Sequence, residues 1–289
     1  MSSNNLLEKI KQLREITGVG FKDCKNAIDE TKGDIEKSIE FLRKKGIAKA
    51  SKRMGRTAAE GLICISERDN KISMIEINSE TDFVAKNNEF INFAEETSQL
   101  ALLKLGMFED ILNSEMKNKK IFKDNLVNLI SKIGEKVSLR RSAFIGGDKS
   151  FNFSYVHSSL KKNVGKLGVL LSLETTKSKK EIMILGKQLS MQIAATSPLS
   201  IDENDLDQNI LKKEKEIIIE GLKNTGKDPK ILEKIATGKL NKFIAENTLL
   251  NQDSIMEPKK KVKEIIKEIA GNDKINIKKF IRFKVGEGV

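Results

Sequence analysis

The sequence is poor in the side chains that metal binding, acid–base catalysis and base stacking use most often. Its 289 residues include no tryptophan, one tyrosine and a single histidine, His157. That histidine has no metal-ligand spacing around it, so neither a zinc centre nor a catalytic triad is expected. The sequence also has no nucleotide-binding loop, no nucleophile elbow and no haem or iron–sulfur pattern. We therefore predict a binding protein that is not an enzyme and needs no metal and no cofactor.

Cysteines and long apolar runs are also scarce. Cys24 and Cys64 lie far apart without a CxxC spacing, which predicts free thiols in a reducing compartment rather than a disulfide framework. No apolar run approaches the roughly 18 residues that a membrane span needs. The chain instead starts with a charged amphipathic helical pattern. We expect a soluble, cytoplasmic protein without membrane contact.

Positive charge is abundant, with a formal net charge of +12 and an isoelectric point near 9.4. Such a balance is typical of nucleic-acid-binding proteins. Here, however, most positive residues are lysines scattered among acidic residues, and few aromatic rings are available to stack on bases. We expect no direct nucleic-acid contact. The alternative, an RNA- or ribosome-binding adaptor, would predict RNA retention that falls steeply with salt.

The first part of the chain predicts three helices. Apolar residues recur at helical spacing over residues 6–17, 22–31 and 34–46. Asp34 is expected to be the N-cap of the third helix, and Gly46 is expected to end it. The pattern therefore predicts a compact three-helix bundle.

The connection between the first two helices, Gly-Val-Gly-Phe over residues 18–21, gives this bundle a resemblance to ubiquitin-associated domains. A bundle of that type on its own implies a protein-binding module. The basic stretch over residues 48–56 is interpreted as a linker to the next domain. A ubiquitin-type adaptor is therefore an alternative, although it leaves the rest of the chain unexplained.

The next part of the chain contains an internal repeat of strand, strand and helix. Each copy has a predicted hairpin followed by an amphipathic helix. Further strands are predicted over residues 137–144 and 277–285. Together these patterns predict an α+β fold with a duplicated core of small antiparallel sheets. The two hairpins are expected over residues 61–67 with 71–78 and 151–157 with 166–174, and the helices from residue 88 and over 182–195.

The two copies differ in the loop that joins the second strand to the helix. In the first copy this loop covers residues 78–87 and places Asp82 beside Phe83. Phenylalanine is usually buried, so an exposed one suits a partner's pocket, unless Phe83 folds back onto its own sheet. The second copy has only a short polar connection over residues 175–179. Because the fold manages there without an apolar loop, the comparison favours an outward, functional Phe83.

Two long charged helices are predicted within the second repeat, over residues 207–224 and 229–247, joined by a turn over 226–229. They predict an inserted antiparallel helical hairpin, or arm. Such an arm could form a homodimer or pack only on itself. The predicted facing stripes are Ile210, Ile217, Ile218 and Leu222 on the first helix, and Ile231, Ile235, Leu240 and Ile244 on the second.

These patterns divide the chain into four parts. The bundle takes residues 1–54, and the first copy of the repeat takes residues 55–145. The second copy is split by the arm and takes residues 146–198 with 258–289. The arm itself takes residues 199–257.

Four segments together resemble one known family, translation elongation factor Ts, the guanine-nucleotide exchange factor of elongation factor Tu. The segments follow the family's order and span nearly the whole chain, and Thr-Asp-Phe-Val at residues 81–84 is the most specific of them. The segments cover residues 13–20 with 23–25, 80–86, 133–136 with 140–141, and 280–288.

The resemblance implies that this protein binds the GDP-bound GTPase elongation factor Tu and promotes GDP release so that GTP can bind. Phe83 would wedge between helices of the partner and disturb its magnesium ion. Many members continue past the Gly-Glu-Gly segment with another helix, whose contacts are not carried over, and residues 158–166 form a longer hairpin than usual. The partner-binding residues expected on this basis are Thr81, Asp82, Phe83 and Val84, with His157, Val19, Phe21 and Lys22 as secondary contacts.

Overall fold

A computed structural model describes residues 3–147, 150–222 and 229–289. The architecture is α+β, as predicted, with helices at the N-terminal end and two antiparallel sheets behind them. Within the described residues, no helix is long and apolar enough to cross a membrane. The helices are α1 (Ser3–Thr17), α2 (Phe21–Glu30), α3 (Ile35–Arg53), α4 (Asp82–Ala85), α5 (Asn88–Leu103), α6 (Phe108–Leu112), α7 (Phe122–Ile133), α8 (Lys179–Thr196), α9 (Gln208–Leu222), α10 (Pro229–Asn247) and α11 (Val262–Ala270), and the strands are β1 (Glu60–Arg68), β2 (Lys71–Ser79), β3 (Val137–Ile145), β4 (Phe151–His157), β5 (Val164–Gly165), β6 (Leu167–Thr175) and β7 (Ile275–Lys284).

The predicted three-helix bundle is present as α1, α2 and α3. Asp34 precedes α3, and its Oδ1 accepts the N–H of Lys37 at 3.0 Å, which is the expected N-cap bond. The bundle has its own small core, in which apolar side chains from all three helices meet. That core contains Ile10, Leu13, Cys24, Ala27, Ile28 and Leu42.

The predicted end of the third helix at Gly46 is wrong, because α3 continues through this residue to Arg53. Most of the stretch interpreted as a linker is therefore helical. The reason is packing against α7: a Cβ atom on residue 46 would lie 2.5 Å from Oγ of Ser131. Further along, Nη1 of Arg53 donates to the carbonyl of Ile130 at 3.0 Å. Gly46 thus allows a close approach of two helices and does not end one.

The first sheet has the strand order β3-β2-β1-β5. Its hairpin turns at Asp69, whose φ of 56° is a left-handed conformation that aspartate tolerates at turns. Helices α5 and α7 cover one face, where Phe93 and Phe122 pack with ring centroids 5.1 Å apart. The apolar spacing of residues 117–136 predicts one helix over that range, but α7 is shorter: it begins at Phe122 and ends at Ile133, and its C-cap Gly134 has a φ of 87°.

The second sheet has the order β4-β6-β7 and is covered by α8 and α11, so the predicted repeat is confirmed. The two sheets pack face to face through side chains that include Ile63, Met74, Leu170 and Phe283. Beyond β7, the N–H of Gly286 donates to Oε1 of Glu76 in the first sheet at 2.9 Å. This hydrogen bond ties the end of the second copy to the middle of the first.

The predicted arm consists of α9 and α10, which pack against each other. The turn expected over residues 226–229 lies outside the described residues, except for Pro229, at which α10 begins. Ile218 and Leu222 are buried as expected, but Ile217 on the first helix and Ile231 on the second, both placed in the facing stripes, are 62% and 51% exposed, so that part of the prediction is wrong. Successive helical residues differ by about 100° around the axis, and Ile219 rather than Ile217 lines the groove between α9 and α10, together with Leu222 and Leu240. A homodimer through this arm, and the four domain boundaries, stay predictions.

Candidate functional site

The loop between β2 and α5 contains one additional helical turn, α4 (Asp82–Ala85). Val84 and Ala85 are buried in the core below the first sheet, whereas Phe83 points away from it and is 80% exposed. Asn87 then starts the next helix, since its Oδ1 accepts the N–H groups of Glu89 and Phe90 at 2.8 and 3.3 Å. The loop is therefore anchored by one side and presents Phe83 on the other.

Phe83 is more exposed than any other large hydrophobic side chain in the described part of the chain. The alternative in which it folds back onto its own sheet does not occur. Fully burying such a side chain contributes about 1.5 to 3 kcal/mol. A complex in which a partner's pocket buries this ring would gain that free energy on binding.

Asp82 lies beside Phe83 and is ionised. Its Oδ2 accepts from Nζ of Lys86 at 2.7 Å, one helical turn later. This hydrogen bond, with the charges of Lys86 and Lys166, holds the pKa of the Asp82 carboxyl below its usual range. The loop thus presents a negative charge next to an apolar ring.

The approach to this turn is held by two glutamates. Glu135, just after α7, accepts the backbone N–H of Thr81 at 3.0 Å and its Oγ1 hydroxyl at 2.8 Å. In return, Glu80 accepts the N–H of Lys136 at 2.6 Å and Nη1 of Arg56 at 3.2 Å. No role is predicted for either glutamate from the sequence, because the two segments are far apart along the chain. The available signals were the family resemblance of residues 80–86 and 133–136 and the position of Gly134, which is the C-cap of α7.

His157 lies exposed at the end of β4, where the hydroxyl of Tyr155 is 3.0 Å from its Nδ1. The backbone carbonyl of His157 is packed against Gly165. Lys166, which follows Gly165, places its Nζ 2.7 Å from Oε2 of Glu60. Glu60 is paired with Ser79 at the end of β2. His157 and the loop that carries Phe83 therefore lie at the same end of the two sheets.

The expected contacts of the bundle belong to the connection between α1 and α2. Val19 is half-buried, while Phe21, at 46%, and Lys22 are exposed. A Cβ atom on Gly18 would lie 2.3 Å from Cε of Lys132, so this connection touches α7. Lys132 in turn pairs with Glu89 at 3.5 Å, in the first turn of α5. Through these two contacts the bundle connection reaches the helix that follows α4.

Within the described ranges, no three histidine, cysteine or acidic side chains come together in a way that could hold a metal ion. Both cysteines are buried free thiols, as predicted. The site therefore consists of the highly exposed ring of Phe83 with the carboxylate of Asp82 beside it. The arrangement can bind a protein surface that offers a pocket and a positive or polar neighbour.

Comparison with known proteins gives a consistent result. The family model described as "Elongation factor TS" matches residues 80–287. A protein named "Elongation factor Ts" from Methylorubrum extorquens (strain PA1) is 40% identical over 283 residues, covering 97% of this chain and 92% of the relative. One of the same name from Bartonella henselae is 41% identical over 286 residues, with the same coverage.

The fold, the exposed loop and these relatives together place the chain among the translation elongation factors. Its similarity covers both sheets, the arm and the bundle rather than one motif. The chain belongs to the elongation factor Ts family.

Proposed function

We propose that this protein is a guanine-nucleotide exchange factor that binds the GDP-bound form of elongation factor Tu in the cytoplasm, without catalysing a chemical reaction. It disturbs the partner's magnesium site and promotes GDP release, so that GTP can bind. The observation that carries the proposal is the exposed ring of Phe83 on a helical turn anchored by Val84 and Ala85. Such a ring is available to enter a partner without any rearrangement of its own domain.

The energetics require more than this one ring. A nucleotide bound at nanomolar strength represents about 12 kcal/mol, whereas burial of one phenylalanine contributes about 1.5 to 3 kcal/mol. Exchange therefore needs a ternary complex in which a broad interface opposes nucleotide binding. The loop, His157 and the bundle connection at Val19, Phe21 and Lys22 supply such an interface.

The partner's magnesium site is a suitable place for such an interface to weaken nucleotide binding. A magnesium ion requires near-octahedral geometry and usually has few protein ligands, so a small displacement of those ligands is costly. In this proposal Phe83 makes that displacement and the carboxylate of Asp82 contacts the same region. Thr81 and Val84 hold the turn in place, the first through Glu135 and the second through the core.

Release of fluorescent GDP from a Tu-type GTPase tests the proposal. Wild-type protein is expected to accelerate release, and Phe83→Ala to lower the maximal rate by about tenfold to a hundredfold. Leu103→Ala is the matched control, because Leu103 is 64% exposed at the far end of α5, about 22 Å along that helix from the loop. It is expected to leave the rate within about twofold.

A second arm of the experiment removes magnesium with a chelator. If Phe83 acts on the metal site, the difference between wild type and Phe83→Ala shrinks once the ion is gone. Wild-type protein without effect on GDP release would refute the exchange function. Equal rates for wild type and Phe83→Ala would refute the wedge role alone.

A further inference from the structure

Every backbone and side-chain polar group of Thr81 is engaged. Its N–H and its Oγ1 donate to the two carboxylate oxygens of Glu135 at 3.0 and 2.8 Å. Its carbonyl accepts the hydroxyl of Ser79 at 2.9 Å. The residue just before Asp82 and Phe83 is therefore fixed from two sides, by Ser79 at the end of β2 and by the segment after α7.

The same contact is reciprocated by the adjacent residues. The carboxylate of Glu80 accepts the N–H of Lys136, and Nζ of Lys136 donates to the carbonyl of Arg56 at 2.7 Å. Arg56 in turn donates to both oxygens of Glu80 at 3.2 Å. Each of the two glutamates thus accepts a backbone N–H from the segment that carries the other. Arg56, just after the bundle, bonds to both segments through Glu80 and Lys136.

These bonds matter because α4 cannot hold its own shape. A helix of four residues, Asp82–Ala85, is far below the roughly 12 residues at which an isolated helix becomes marginally stable. Thr81 is its N-cap, yet the Thr81 side chain makes no capping bond within the helix, since its hydroxyl donates to Glu135. The orientation of the turn therefore depends on a contact from another part of the chain.

We propose that Glu135 is a positioning residue for Phe83, which holds the turn in the conformation that the partner accepts. The inference rests on the proposed function and adds to it the residue that preorganises the loop. It also gives a role to the segment over residues 133–136, which the sequence analysis linked to the family without a function. Glu135 does not itself touch the nucleotide or the magnesium ion in this proposal.

A positioning role has a kinetic signature that differs from the loss of Phe83. If only a fraction of molecules holds the turn correctly, the apparent dissociation constant rises by the inverse of that fraction. We therefore expect Glu135→Ala to raise the concentration for half-maximal exchange roughly tenfold, with the maximal rate within about twofold of wild type. Phe83→Ala is expected to lower the maximal rate instead.

Two further variants separate positioning from general damage. In Glu135→Gln the amide oxygen still accepts the N–H of Thr81 and the amide nitrogen donates to its hydroxyl, so most of the wild-type behaviour should return. Glu109→Ala, an exposed glutamate in the first turn of α6, is the matched control and should behave as wild type. Thermal unfolding of all variants checks that the fold is retained.

A structural measurement makes the test independent of the partner. Hydrogen exchange followed by NMR should show faster exchange of the Thr81 amide in Glu135→Ala, with the amides of β2 unchanged. In the background of Phe83→Ala, the additional change Glu135→Ala should raise the half-maximal concentration by less than about twofold, because a misplaced turn hinders docking through the ring that it carries.

The proposal is overturned if Glu135→Ala matches wild type in exchange while Phe83→Ala is impaired. It is also overturned if the Thr81 amide stays protected, or if the full tenfold effect persists without Phe83. Failure of the exchange function would look different, because wild-type protein would then not accelerate GDP release at all.

Discussion

The fully buried Glu76 forms an ion pair with the half-buried Arg141 across β2 and β3, with Oε2 and Nε 2.6 Å apart. The register shifts directly beside this pair, so Arg140 has no residue opposite it and forms a β-bulge. As a result, Nη1 of Arg140 also reaches the carboxylate, at 3.0 Å. Asn78 and the N–H of Gly286 complete the donors around it. One carboxylate thus joins two strands of the first sheet to the segment after β7.

This pair predicts a stability effect. Glu76→Gln removes a fully buried charge from four donors and is expected to lower the free energy of unfolding by about 1 to 3 kcal/mol. Glu246→Gln is the control, because its partner Lys242 is at 3.7 Å and both side chains are exposed. It should cost less than about 0.5 kcal/mol. Chemical denaturation measures both, and equal effects would show that burial of Glu76 does not matter.

The same carboxylate predicts an acid dependence. Burial raises the pKa of Glu76, but hydrogen bonds from Gly286, Asn78, Arg141 and Arg140 outweigh burial and hold it below the usual value. On acidification the unfolded chain therefore takes up the proton first. The contribution to stability is full above the unfolded pKa of about 4.3 and is lost as pH falls through the lower folded pKa. Denaturation midpoints from pH 7 to 3 should fall less steeply for Glu76→Gln, and parallel curves would contradict this.

The contact between the two sheets predicts the effect of a single methyl group. A Cβ atom on Gly168 would lie 2.7 Å from Cγ2 of Ile63 and from Sδ of Met74. Gly168→Ala is therefore expected to destabilise the protein by about 1 to 3 kcal/mol. In contrast, nothing lies within 4 Å of such an atom on Gly238 in α10, so Gly238→Ala should stabilise its helix by about 0.5 to 1 kcal/mol. The two variants should shift the melting temperature in opposite directions, and a shared direction would refute the close packing at Gly168.

The secondary contact predicts a smaller functional effect. His157→Ala should raise the concentration for half-maximal exchange roughly two- to tenfold, since it removes one polar contact. Tyr155→Phe removes the hydrogen bond to Nδ1 of His157 and should reproduce part of that loss. Titration of GDP release against each variant provides the measurement. Unchanged titration curves for His157→Ala would remove His157 from the interface.

The spacing of apolar residues along the sequence predicted the helices and strands that bury one face. The amphipathic helix predicted from residue 88 is α5, and its apolar residues Phe90, Phe93 and Ala94 are buried. The comparison of the two repeats favoured an outward Phe83, and the ring is outward. These features depend on neighbours along the chain, so the sequence carries them directly.

Features that depend on distant neighbours were missed. Gly46 was expected to end a helix, whereas its environment is set by Ser131 in α7. Strand β5 (Val164–Gly165) has two residues, too few for any pattern, and exists because β1 offers it an edge. The role of Glu135 was missed for the same reason, because its hydrogen-bond partner Thr81 is 54 residues away in the sequence.

The link between Glu76 and Gly286 spans 210 residues. During synthesis the hairpin of β1 and β2, which carries Glu76, leaves the ribosome long before Gly286, whose N–H completes the hydrogen bonds to the Glu76 carboxylate. Until Gly286 emerges, that acid lacks one of its donors, and an incompletely satisfied polar group in a closed core is costly. The first sheet of the nascent chain is therefore expected to pack fully only after the second copy of the repeat has been synthesised. Folding of the first sheet is then completed late in the translation of the chain.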